Sequence, residues 1–141
     1  MDCPICRRGE PFDVLLDVGV LWVTAATDAP LPGYVCVVAK QHVVEPFDLD
    51  LDAGHAFWDG LMAVAHALRA ATDARKINYE IHGNTLPHLH VHLYPRFEGD
   101  PFEGRPIEGA ATNFRRDPRD LAALKTAIED EISKVDPWPP S

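Results

Sequence analysis

Apolar residues recur along this chain with two periods, and each change of period marks an element. Around 14–16 and 20–25 they predict two strands flanking Asp17-Val18-Gly19, a hairpin in which Gly19 supplies the permissive backbone. Tyr34-Val35-Cys36-Val37-Val38-Ala39 predicts a third strand, entered through Pro30-Leu31-Pro32-Gly33, with Cys36 in its core run. Phe57, Leu61, Val64, Ala65 and Leu68 then fall at helical spacing, predicting an amphipathic helix over 50–71 capped by Asp50 or Asp52. His55 and His66 lie off its apolar stripe and read as surface residues. A fourth strand over 77–81 leads through Gly83-Asn84 into Pro87-His88-Leu89-His90-Val91-His92-Leu93-Tyr94-Pro95, its antiparallel neighbour. Residues 95–116 have glycine, proline and charge without periodicity, a long loop suited to shaping a pocket or a subunit contact. Asp117-Pro118 opens a helix over 117–135 with Leu121, Leu124, Ile128 and Ile132 on its apolar face, and 136–141 is a tail for which docking of Trp138 on a neighbour is favoured over disorder. The expected fold is therefore α+β: one domain, 1–141, with an antiparallel sheet of about five strands, one crossover helix and a C-terminal helix.

Composition narrows the function classes more than the fold. A length of 141 residues buries a core without staples, and 46% hydrophobic with 25% charged residues is ordinary for a globular chain. A net charge of -9 without a basic stripe argues against a nucleic-acid surface and leaves room for one small anionic ligand where cations gather locally. No stretch has the length of a membrane span, and Met1-Asp2-Cys3-Pro4 lacks the pattern of a signal peptide, so the cytoplasm is the expected compartment. Cys3 and Cys6 form a C-x-x-C pair, which in a reducing compartment points to metal or redox chemistry, although two unligated thiols in a frayed terminus share that spacing.

The alternating histidines carry the candidate chemistry. A strand sends His88, His90 and His92 to one face and Leu89, Val91 and Leu93 to the other. At about 3.3 Å per residue the outer two are roughly 13 Å apart, too far for three histidines on a straight strand to converge on one ion. Two neighbours can share a metal, but a division of labour fits the spacing better. The plain alternative is a half-buried strand with a histidine-rich solvent face, which runs against the poor strand preference of histidine.

His88-Leu89-His90-Val91-His92-Leu93-Tyr94 resembles the signature of the histidine triad family of nucleotide hydrolases and transferases. Pro32-Gly33-Tyr34-Val35-Cys36-Val37-Val38-Ala39-Lys40-Gln41-His42 is similar to that family's strand ending in lysine-x-histidine. Asn78-Tyr79-Glu80, Gly83-Asn84-Thr85-Leu86-Pro87 and Pro95-Arg96 resemble the flanks of the triad, so the likeness spans residues 3–96. It implies that His90 attacks an α-phosphate, forming a covalent nucleotidyl-histidine, and that His92 donates to a phosphate oxygen. Gly83, Asn84 and Thr85 would offer backbone, amide and hydroxyl donors at the turn before the strand, or simply form a β-turn. Asn78 matches the family's upstream asparagine with one residue of gap. Members with an N-terminal C-x-x-C imply a structural zinc on Cys3, Cys6, His42 and His88, a closed tetrahedral set that turns His88 away from substrate. A homodimer joined through the sheet and crossover helix is implied as well, and the strand edge near 76–80 supplies a physical motive.

Two positions depart from the family pattern. Tyr34 stands where many members have a histidine, and Ala26 where an acidic or amide group meets ribose hydroxyls, with Thr24, Thr27 or Asp28 nearby to compensate. Lys40, Arg96, Arg105, Arg115 and Arg116 are candidate partners for a polyphosphate, Arg96 being nearest the motif. The expected activity is cleavage at the α-phosphate of a dinucleoside polyphosphate or nucleoside phosphoramidate, hydrolysis ahead of nucleotidyl transfer. A zinc-stabilised nucleotide-binding module with little chemistry is the alternative from another class. A third, a metallohydrolase with the triad round a catalytic ion, is disfavoured by the strand spacing.

Overall fold

Pro4 fits the first turn of a helix, where its missing N–H costs nothing, and α1 (Pro4–Arg8) ends at Gly9 with φ 87°. The computed structural model describes residues 2–108 and 114–135, so the expectation for the 136–141 tail and Trp138 falls outside the described residues. β1 (Val14–Val18) and β2 (Leu21–Thr24) pair with Val18 opposite Leu21, which places the hairpin turn at Gly19 and Val20 rather than at 17–19. β3 (Asp28–Ala29) follows, and β4 (Val35–Ala39) pairs with β2. Gly33 lies at φ 78°, and a Cβ there would come within 2.5 Å of Thr72 Cγ2, so both conformation and space require glycine. A short 3-10 turn (Pro46–Asp48) leads to α2 (Leu51–Thr72), capped by Asp50 accepting from the Ala53 N–H at 2.9 Å.

β5 (Lys76–Glu80) and β6 (His90–Arg96) complete a sheet of order β1-β2-β4-β6-β5, antiparallel throughout. β6 begins two residues later and ends two later than the triad alone suggests. Pro95 is tolerated because β4 pairing stops at Leu93, leaving only β5 beside it. The supposed 95–116 loop is shortened at both ends: Arg96 belongs to β6, and β7 (Phe114–Arg115) pairs with β3. α3 (Pro118–Ile132) stops short of 135, and Asp117 caps it.

One face of the sheet packs Leu21, Val23, Val37, Val91 and Leu93 against Phe57, Leu61 and Leu68 of α2 and Leu124 and Ile128 of α3. The opposite face gathers a smaller cluster, Cys3, Ile5, Trp22, Cys36 and Val38, under α1. His90 and His92 share that second face, since they stand opposite Val38 and Cys36. Among the described residues no helix is long and apolar enough to cross a membrane.

Candidate active site

The histidine run divides at Leu89. Its N–H donates to Val43 O at 2.8 Å and its carbonyl accepts from Ala39 N at 3.0 Å, which holds His88 outside the regular strand. His88 is 1% exposed, and its Nε2 lies 2.6 Å from Ala39 O. A carbonyl only accepts, so Nε2 carries the proton and Nδ1 presents a lone pair. That lone pair faces His42 Nδ1 at 3.1 Å, Cys3 Sγ at 3.5 Å and Cys6 Sγ at 3.8 Å, with Cys6 Sγ 3.4 Å from His42 Nδ1. All four ligand atoms lie within 4.8 Å of one another. Zinc bonds of about 2.3 Å to sulfur and 2.0–2.1 Å to nitrogen give tetrahedral edges of roughly 3.3–3.8 Å, so the donor set fits that ion in chemistry and in size. Cys3 and His88 close the inner side, and Cys6 and His42 lie at the surface.

His90 is held the other way round. Its Nδ1 is 2.7 Å from His88 O, which fixes the proton on Nδ1 and leaves Nε2 as a free lone pair. His92 Nδ1 lies 2.7 Å from the Tyr34 hydroxyl, and with that hydroxyl donating, the ring proton sits on Nε2. Burial, then the neighbouring His90 and His82, hold the His92 imidazole down to about 4, so it is neutral near pH 7. Burial also pushes Tyr34 upward and keeps the phenol protonated. Tyr34 stacks on Tyr94 at 4.8 Å between centroids and on His92 at 6.0 Å, so its ring fixes the imidazole plane as its hydroxyl fixes the tautomer.

A cavity of about 380 Å³ opens beside these rings, floored by Thr24, Cys36 and Val38 and walled by Ile5, Phe12 and Leu86. Arg8 and Phe12 stand on its rim, the guanidinium 3.8 Å above the ring centroid. Neither was legible as a site residue, because the N-terminal stretch reads through its cysteines alone. The cavity is apolar with His90 and His92 at one end, the form of a cleft for a flat organic group joined to an anion.

The remaining expected residues sort by distance from this cleft. Gly83 has φ 92°, and Asn84 and Thr85 are exposed at the bend before His88 with no side-chain hydrogen bond among the described residues. Arg96 is different: all five of its N–H donors are engaged within the chain. Nε and Nη2 bond Asp100 at 3.0 Å, Nη1 bonds Asn78 Oδ1 at 2.7 Å and Arg105 O at 2.8 Å, and Nη2 also bonds Phe102 O at 2.6 Å. It organises the 97–105 turn, and its hydrogen bond holds Asp100 down to about 2. Arg96 therefore has no donor left for substrate, and Asn78 is its partner. Glu80, not Asn78, stands opposite His92.

Of the other cations, Lys40 pairs with Asp17 and Arg105 with Glu108, and Arg115 is exposed on β7. Arg116 is 5% exposed and braces the two divergent positions from behind. Its Nε bonds Ala26 O at 2.9 Å, its Nη1 bonds Tyr34 O at 2.6 Å and its backbone N bonds Thr27 O at 2.7 Å.

Fold and site together define an α+β protein whose antiparallel sheet presents a histidine array beside an apolar cleft, buttressed by a Cys2His2 cluster. Residues 11–99 match the family model described as HIT domain, and the chain belongs to that family of nucleotide hydrolases and transferases. It is similar to a histidine triad protein from Bradyrhizobium japonicum, with TM-score 0.76 and 24% identity over 93% of this chain and 96% of that one. A histidine triad (HIT) protein from Sinorhizobium meliloti 1021 aligns with TM-score 0.74 and 25% identity over 84% and 87%. A Zn-bound histidine triad family protein from Mycobacterium smegmatis aligns with TM-score 0.67 and 22% identity over 96% and 99%. No curated protein matches the sequence.

Proposed function

We propose that this chain hydrolyses a nucleotide at its α-phosphate through a nucleotidyl adduct on His90. The observation that carries this reading is the His90 tautomer: Nδ1–H is tied to His88 O, so Nε2 is unprotonated at the end of the cleft. The nucleoside lies in the cleft over Thr24, Cys36 and Val38, which brings the α-phosphate over β6. His90 Nε2 forms the N–P bond as the bond to the leaving group breaks, and water later cleaves the adduct. His92 Nε2–H, aimed by Tyr34, donates to a non-bridging oxygen as charge builds there. The turn at Gly83, Asn84 and Thr85 contributes further donors. Dinucleoside polyphosphates and nucleoside phosphoramidates are the substrate classes. Nucleotidyl transfer follows if an acceptor replaces water.

Cys3, Cys6, His42 and His88 would hold zinc with four protein ligands and no open position, so the ion braces the base of β6. The exposed Tyr79 on edge strand β5 and Ile81 just after it, with Met62 on α2, supply an apolar face for a homodimer. A cytoplasmic site of action suits two thiols kept reduced for metal.

The test pairs wild type with His90→Ala over a panel of both substrate classes. Turnover by wild type, a nucleotide mass on the His90 peptide after acid-free quenching, and loss of both in a folded variant are expected. Nucleotide binding without turnover or adduct would instead make the chain a binding module.

A further inference from the structure

A fourth histidine stands beside the reactive pair, in a place the sequence pattern does not mark. His82 follows β5, and its Nε2 lies 2.8 Å from Glu80 Oε1. Glu80 is the cross-strand partner of His92, and the His82 ring centroid is 6.2 Å from that of His92. The pair sits on the rim, with His82 60% and Glu80 23% exposed.

Sheet order gives this placement its meaning. The cleft covers β2 and β4, and His90 and His92 stand on β6, the next strand across. A nucleoside in the cleft with its α-phosphate over β6 directs the bond to be broken onward, toward β5. There a shallow hollow of about 550 Å³ is bordered by Lys76, Glu80 and His82. A leaving group that departs as a strong base needs a proton at that end. His92 is a poor source, because burial keeps it neutral and Tyr34 already occupies its Nδ1. Lys76 Nζ is turned to Ile77 O at 2.6 Å.

We propose that His82, oriented by Glu80, is the general acid for the leaving group and the base for the water that follows. This rests on the reading of His90 as nucleophile. In the first step the His90 Nε2 lone pair forms the N–P bond, and the electron pair of the breaking P–X bond goes to X. X takes the Nδ1 proton of the His82 imidazolium. His82 is then neutral, with Nε2–H still donating to Glu80. In the second step water attacks phosphorus, the N–P pair returns to His90 Nε2, and the water proton goes to His82 Nδ1, restoring the starting state.

Leaving-group dependence separates this role from simple packing. Single-turnover release would be followed by rapid quench for the p-nitrophenyl and phenyl 5′-esters of AMP, GMP, CMP and UMP, in wild type, His82→Gln and Glu80→Gln. Nitrophenolate departs without a proton, whereas phenolate gains from one. For whichever nucleotide wild type accepts, His82→Gln is expected to slow phenol release about 100-fold and nitrophenol release by no more than about threefold, with Glu80→Gln between them. Equal slowing of both esters, or no selective slowing of the phenyl ester, would overturn the role of His82 while leaving His90 standing. No nitrophenol release from wild type with any of the four nitrophenyl esters would remove the His90 reading and the His82 role together. Unchanged thermal melting of the variants guards against misfolding.

Discussion

His88 and His90 are two residues apart, carry the same ring, and are held by opposite nitrogens. His88 gives its Nε2 proton to Ala39 O and turns Nδ1 toward two sulfurs and a second imidazole. His90 gives its Nδ1 proton to His88 O and turns Nε2 toward the cleft. A backbone carbonyl thus decides which nitrogen is basic, and that choice makes one ring fit for a metal and the other for phosphorus. The strand alternation supplies the residues, but the break at Leu89 supplies the difference, because only a chain leaving the regular strand can aim His88 at Cys3 and Cys6.

Removing each ring in turn is the harshest way to break that comparison. His90→Gln should lower turnover by a factor on the order of 10⁴ or more while keeping its metal and melting temperature. His88→Gln should lose stoichiometric zinc by elemental analysis and melt well below wild type. Metal loss in His90→Gln, or full zinc in His88→Gln, would show that the two rings do not divide the work. Arg96 extends the contrast to a residue of the same strand with no free donor. Arg96→Met strands a carboxylate, Asp100, whose side chain is 4% exposed, and should cost about 3–5 kcal/mol in urea unfolding. Its folded fraction should keep kcat/KM within about threefold, since the guanidinium does not reach substrate. A selective loss of kcat/KM at unchanged stability would return Arg96 to the site.

Tyr34→Phe probes the third ring more gently. It keeps the stack on Tyr94 and removes the hydroxyl that orients His92, so kcat should fall about tenfold with KM nearly unchanged, matching one lost hydrogen bond of about 1.4 kcal/mol. An unchanged kcat would mean that packing alone sets the imidazole.

Local periodicity made the five strands of the main sheet and the helices α2 and α3 readable, because each is written within a few residues, whereas the Cys2His2 grouping was legible only through the family resemblance. Long-range register was not readable. Asn78 and Glu80 look alike as candidates in a sequence, and only the pairing of β5 with β6 puts Glu80 beside His92 and Asn78 beside Tyr94. Arg96 was misplaced for the same reason: its partners come from a turn whose form depends on Asp100, which no period announces. Arg116 reaches Ala26 and Tyr34 from 90 and 82 residues away, through the short pairing of β3 with β7. Two-residue strands leave too little pattern to detect. The Tyr34 departure gained its meaning only when its hydroxyl was seen to reach His92.

The smallest effect tests whether His92 is kept neutral in its place between the His90 and His82 rings. Its folded-state pKa is lowered to about 4 from an ordinary 6.5, chiefly by burial. As pH falls from 6.5 toward 4, the unfolded chain takes up a proton that the folded chain refuses. Stability present above 6.5 is therefore lost through that window, and the slope vanishes below it. In His92→Gln that contribution is absent, so wild type should lose more of its urea midpoint between pH 6.5 and 4 than the variant does. The Cys2His2 cluster is common to both chains, so its contribution cancels in the difference. Parallel pH slopes for the two chains would mean that His92 is solvated and free to protonate, and the cleft would then carry a cation where the tautomer argument places a neutral donor.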